Sequence, residues 1–154
     1  LNNVYHYIKS EPEQKDKILE VKILHDNNEE VRAFGFDAPV PVEIKVDHSS
    51  FVPGTYVGLA VLNKWQQKVF TDTCRIEQSE DSNGIMKYHV QIPSHTLLTG
   101  IYYLDVALFV PRMNVFDYVA EACSFEIEDY QSELSIYSGM DVGNVYVACK
   151  WEEA

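Results

Sequence analysis

Cysteine is scarce in this chain. Cys74, Cys123 and Cys149 form an odd set with no CxxC spacing, so neither a disulfide framework nor a paired-thiol zinc site is written into the sequence. Each stands in an apolar, strand-like context where a reduced thiol behaves as a small hydrophobe, so we expect core filling in a reducing compartment. Basic residues are also few. Twelve Lys and Arg face 24 Asp and Glu, and the net charge of -12 repels phosphate backbones and anionic lipid surfaces, which argues against a nucleic-acid partner. Long apolar runs are missing: Ile101 to Val110, interrupted by Asp105, is roughly half of the ~20 residues that span a bilayer. Only 7 glycines occur, and none falls in a GxxxxGK[ST], GxGxxG or GxSxG arrangement, so no phosphate-cradling loop or nucleophile elbow is present. His6, His25, His48, His89 and His95 are scattered without HxxxH or CxxC…H spacing, and Asp26, Asp37, Asp47 and Asp81 lack the DxDxDG order of a calcium loop. Ser94-His95 and Asp47-His48-Ser49 contain nucleophile and base types, but neighbours along a strand or turn rarely face each other. These absences exclude an obvious enzyme; we expect no catalytic residues, no metal and no cofactor.

What is present is period two. The 154 residues suffice for one domain with its own core. Residues 1–17 show no sustained period and read as a linker or N-terminal arm, with residues 18–154 as the domain. Leu19, Val21 and Ile23 alternate with polar neighbours in a first strand, and Val42, Ile44 and Val46 do so in a second. Thr55–Asn63 and Lys68–Cys74 flank the turn Lys64-Trp65-Gln66-Gln67 as a hairpin. Ile85–Ile92 places Met86, Tyr88, Val90 and Ile92 on one side. The longest hairpin spans Leu97–Asp129 and turns at Pro111-Arg112-Met113-Asn114, with Gly100 and Tyr102 placed like a tyrosine corner. Asn144–Trp151 is a last alternating strand after a long polar connector, with Val145, Val147, Cys149 and Trp151 on one face. It either folds back on its own sheet or reaches across to a second copy. Eight strands, no amphipathic helix and no repeat predict an all-β, immunoglobulin-like antiparallel sandwich.

One face of the long hairpin is unusual. With Tyr102, Leu104, Val106 and Leu108 inward, Tyr103, Asp105 and Ala107 point out on the first arm, Tyr118, Ala120 and Ala122 on the second, and Tyr56, Gly58 and Ala60 on the strand from Thr55. Exposed sheet faces are normally tiled by long polar side chains; a floor of Gly and Ala rimmed by Tyr56, Tyr103, Tyr118 and Asp105 leaves a shallow groove instead. Two occupants fit it: another part of the chain, such as the N-terminal arm with Tyr5 and Tyr7, or a sugar, since pyranose rings stack on flat aromatic faces and a carboxylate accepts from paired hydroxyls.

The series IYYLDVALFVP, FDYVAEACSFEIED and GNVYVACKW, with VGLAVLNKWQQKVFTDT upstream, resembles the C-terminal domain of Wzt-type ATP-binding subunits of ABC transporters that export O-antigen and related polysaccharides. The likeness runs from about Ile18 to Trp151 and rests on hydrophobic patterns rather than a catalytic signature. It implies a non-catalytic, cytoplasmic carbohydrate-binding module working at the inner face of the membrane. The implied partners are a polysaccharide, a second copy exchanging the terminal strand, an upstream ATPase domain and a membrane-spanning transporter subunit. The chain begins without Met, consistent with an ATPase domain preceding it. Trp65 stands where such domains carry a polar turn and reads as a glycan platform or a loop anchor; Trp151 reads as part of the dimer seam. The alternative function is a structural module that dimerises the transporter subunit without a glycan site of its own.

Overall fold

The computed structural model describes residues 6–8, 17–24, 33–49, 52–78, 83–130 and 132–154. Nine strands occur among them: β1 (His6–Ile8), β2 (Lys17–Ile23), β3 (Ala33–Gly35), β4 (Val40–Asp47), β5 (Tyr56–Leu62), β6 (Lys68–Arg75), β7 (Ile85–Ile92), β8 (Gly100–Val110) and β9 (Asn114–Glu128). They form two sheets, β1-β2-β4-β7 and β3-β9-β8-β5-β6. All pairs are antiparallel except β3 with β9. This is the expected immunoglobulin-like sandwich. Its strands form because β-branched and aromatic side chains on one face of each bury against the other sheet. Ile18, Val21, Ile23, Val42, Ile44 and Val46 on one side meet Val57, Leu59, Val61, Leu104, Val106, Leu108 and Phe125 on the other. Tyr102 is fully buried and stacks on Phe125 at 5.7 Å. Its hydroxyl donates to the Leu98 carbonyl at 2.7 Å, the brace that Gly100 and Tyr102 predicted.

Several expectations need correction, and two of them fail at bulges. Parity counting assumes an unbroken ladder, and surplus residues in one strand change which side chains face the core. A register shift between Ile18 and Glu20 puts Ile18, not Leu19, in the core with Val21 and Ile23. On β9, Val106 pairs with Val119 but Leu104 pairs with Cys123, so Asp105 faces a bulge at residues 120–122. Glu121 takes φ 51° there and is exposed, while Ala122 turns into the core beside Cys123 instead of lining the outer face. Of the cysteines only Cys123 is buried; Cys74 lies on the edge strand β6 and Cys149 in the C-terminal segment, both exposed. Burial pushes the Cys123 thiol up to about 12.

The N-terminal arm forms an edge strand, and the C-terminal segment pairs with a loop. His6–Ile8 joins the sandwich as a strand on β2, with Tyr7 packed against the core. Tyr7 thus belongs to the four-stranded sheet; Tyr5 lies outside the described residues, as do Asp26 and Asp81. Asn144–Trp151 joins neither sheet as a strand. It makes one bridge, Val145 with Leu97, and Tyr146 rather than Val147 turns inward, its ring 5.5 Å from Phe36. Val147 and Trp151 are 70% and 91% exposed. The alternation is real, but this segment runs beside the Thr96–Leu98 loop and not beside a sheet edge.

Candidate functional site: a groove on the outer face of the five-stranded sheet

The outer face of β6, β5, β8 and β9 carries a groove of about 240 Å³. Gly58, Ala60 and Ala107 form its floor. In register, Gly58 lies between Ala107 and Thr73, and Ala60 between Asp105 and Thr71. A Cβ built on Gly58 would stand 3.0 Å from the Phe109 ring, so any side chain there pushes the wall aside. Phe109, Val115 and Tyr118 give the walls their apolar surface, and Lys68, Thr71, Thr73 and Asp105 are the polar lining.

Asp105 is only 6% exposed, and both of its oxygens are engaged. Oδ1 accepts from the Glu121 backbone N–H at 2.8 Å, and Oδ2 accepts a short hydrogen bond from the Tyr118 hydroxyl. The carboxylate thus fills the space opened by the bulge and fixes the half-exposed Tyr118 ring over the groove. Its hydrogen bond, reinforced by burial, pushes the Tyr118 phenol up to about 12. The phenol therefore stays a neutral donor through the physiological range.

At one end Tyr56 stacks on Phe109 at 6.2 Å and backs that wall. Tyr103 lies one row beyond Asp105, opposite Leu62 and Ser124, outside the lining. Trp65 sits at the tip of the β5–β6 turn, 72% exposed, with the Lys64 ammonium 5.1 Å from its ring centroid. Asn63 shapes that turn: its Oδ1 accepts from the backbone N–H groups of Trp65 and Gln67 at 2.9 and 3.0 Å, and its Nδ2 donates to the Asn144 side chain at 3.2 Å. The Gln66 side chain donates to Glu121 at 3.0 Å and ties the turn to the bulge. Of the five residues singled out from sequence, the groove thus joins Asp105 and Tyr118, Tyr56 supports a wall, and Tyr103 and Trp65 lie outside the lining.

Lys68, Thr71, Thr73, Phe109 and Val115 were missed. Phe109 and Val115 follow from the register of β8 with β9. Lys68 reaches the same face as Thr71 only through a shift between Val61 and Leu62, which simple alternation does not signal. Among the described residues no cluster of His, Cys, Asp and Glu is arranged to hold a metal ion.

The model of the Wzt C-terminal domain family matches residues 13–140. The chain belongs to that family. It is thereby a C-terminal domain of the kind carried by ABC-transporter subunits. A crystal structure of the C-terminal domain of Wzt superposes with a TM-score of 0.68 at 12% identity, covering 99% of this chain and 93% of that one, which establishes the shared fold. A Bifidobacterium dentium β-glucuronidase, solved with coumarin-3-O-glucuronide, aligns at a TM-score of 0.42 and 14% identity over 73% of this chain and 17% of its own. No curated protein matches the chain. Among the described residues no helix is long and apolar enough to cross a membrane.

Proposed function

We propose that the domain is a non-catalytic carbohydrate-binding module that recognises a polysaccharide for export, acting at the cytoplasmic face of the membrane with the ATPase domain and membrane-spanning subunit of its transporter. The observation that carries this reading is the groove itself: small residues leave room over β5 and β8 while Tyr118 and Phe109 present flat apolar surface beside hydroxyl groups. Sugar recognition needs that combination of ring faces and directed hydrogen bonds. In this reading Tyr118 stacks on the saccharide and Asp105 holds the Tyr118 ring in place. Tyr56, Tyr103 and Trp65 extend the surface for neighbouring residues of the polymer.

Titration with the producing organism's own surface polysaccharide tests it. The amide resonances of Ala107 and Tyr118 should shift while those of Glu43 and His89 on the opposite sheet stay fixed. A polymer that moves none of them refutes the groove.

A second reading, a structural module that dimerises the subunit, is favoured by a different observation: Met140, Val142, Val145, Val147 and Trp151 are all substantially exposed on the C-terminal segment. Apolar groups strung along an extended segment suit exchange with a second copy. Deleting Gly143–Ala154 should convert a sedimenting dimer to a monomer; a truncated chain that still sediments as a dimer ends that idea.

A further inference from the structure

The charge around the groove is distributed against the grain of the molecule. The chain carries a net charge of -12, yet the outer row of β6 runs Lys68, Thr71, Thr73, Arg75, two cations bracketing two hydroxyls over about 20 Å. Lys68 lines the groove, and Arg75 lies opposite Tyr56, which backs the far wall. Neither cation forms an ion pair among the described residues. The nearby carboxylates keep their charge but are bonded to neutral donors or face away, and the one in the lining, Asp105, is buried, so the accessible charge in the groove is that of Lys68. Asp105 accepts from Tyr118 and Glu121, Glu121 accepts from Gln66, and Asp72 lines the crevice between the sheets. Beyond a Debye length of roughly 8 Å the remaining negative charge is screened, so the potential a ligand meets in the groove is set by its own lining.

We propose that the saccharide taken by this groove is acidic, bearing a carboxylate or phosphate group that pairs with the Lys68 ammonium, while Thr71 and Thr73 serve its hydroxyls. Arg75 supplies a second anion contact one groove length away, suited to a polymer in which the acidic group repeats. The inference rests on the glycan-binding reading and adds the ligand's charge to it. An ammonium already in water loses little hydration at an exposed rim, and a charge-assisted hydrogen bond there discriminates strongly against a neutral analogue.

The test uses the intact domain and three forms of the organism's surface polysaccharide: native, carboxyl-reduced and dephosphorylated. Lys68 is exposed on an edge strand, so Lys68→Gln leaves folding intact, which the amide spectrum verifies directly. Native polymer should bind the parent domain about tenfold more tightly than it binds Lys68→Gln. One of the two chemical treatments should produce a similar loss and identify whether the acid is a carboxylate or a phosphate. Raising salt should weaken binding of the native polymer and leave the treated form unaffected. Equal affinity for all three polymers, unchanged by Lys68→Gln but lost in Tyr118→Ala, overturns the acidic ligand and leaves the groove standing. No binding of any form overturns both.

Discussion

The two outer faces of this sandwich cover the same core and are built on opposite plans. On the four-stranded sheet, Lys22, Glu43 and His89 stand in cross-strand register on β2, β4 and β7. Glu43 accepts from His89 at 2.7 Å and lies 3.4 Å from Lys22, and Lys45 lies opposite Glu20. Long charged side chains lie across the strands, and Glu43 is largely covered by its partners. On the five-stranded sheet the corresponding rows hold Gly58, Ala60 and Ala107, which offer neighbours almost nothing to pack against. Opposed pairs on a sheet face contribute roughly 0.2–1 kcal/mol each, so the second face forgoes stabilisation that the first collects. The core does not require that sacrifice, since both sheets contribute inward side chains to it. The bare face is therefore the informative one.

Filling the groove should break the contrast most severely. Ala107→Trp places an indole on the floor between Gly58 and Tyr118, and we expect polysaccharide binding to fall below detection by calorimetry. Thermal stability should change by no more than about 0.5 kcal/mol, as for other surface substitutions. A variant that binds normally would mean the polymer sits elsewhere. The intermediate effect belongs to the opposite face. Hydrogen bonding from His89 holds the Glu43 carboxyl below its ordinary range, aided by Lys22. A depressed folded-state value gives stability that is present above the unfolded value of about 4.5 and is lost as pH falls through the lower folded value. Glu43→Gln should accordingly cost about 1 kcal/mol at pH 7 by chemical denaturation and flatten the acid limb, with no effect on binding. An unchanged acid limb would show that the network contributes nothing. The smallest effect is spectroscopic. Tyr118, raised by its bond to Asp105, keeps its proton as most tyrosines ionise, and the stability it lends persists below pH 10 and disappears as pH rises through about 12. Ultraviolet titration of Asp105→Asn against the parent should move one late-ionising tyrosine to lower pH; coincident curves would dissolve the pair.

The fold was legible because its strands are long and alternate: β4, β5, β7, β8 and β9 were each placed by period two, and the tyrosine corner by Gly100 and Tyr102. β1 and β3 escaped because three residues carry no period. For Asn144–Trp151, alternation states that a segment can pair, not where its partner lies, and within one chain it meets the Thr96–Leu98 loop. At the site, Tyr118 and Asp105 were found by parity from opposite arms. Their mutual hydrogen bond, the inward turn of Ala122 and the arrival of Lys68 depend on bulges, where one or two surplus residues leave no mark in composition.

The bulge at residues 120–122 also separates two inheritances within a single strand. Beyond it, Cys123, Phe125 and Ile127 are committed to the core. Before it, Val115 and Tyr118 belong to the rim of the groove. Because surplus backbone absorbs the mismatch between them, the rim can be rewritten while the core half of β9 keeps its register, much as a key can be recut without changing its bow.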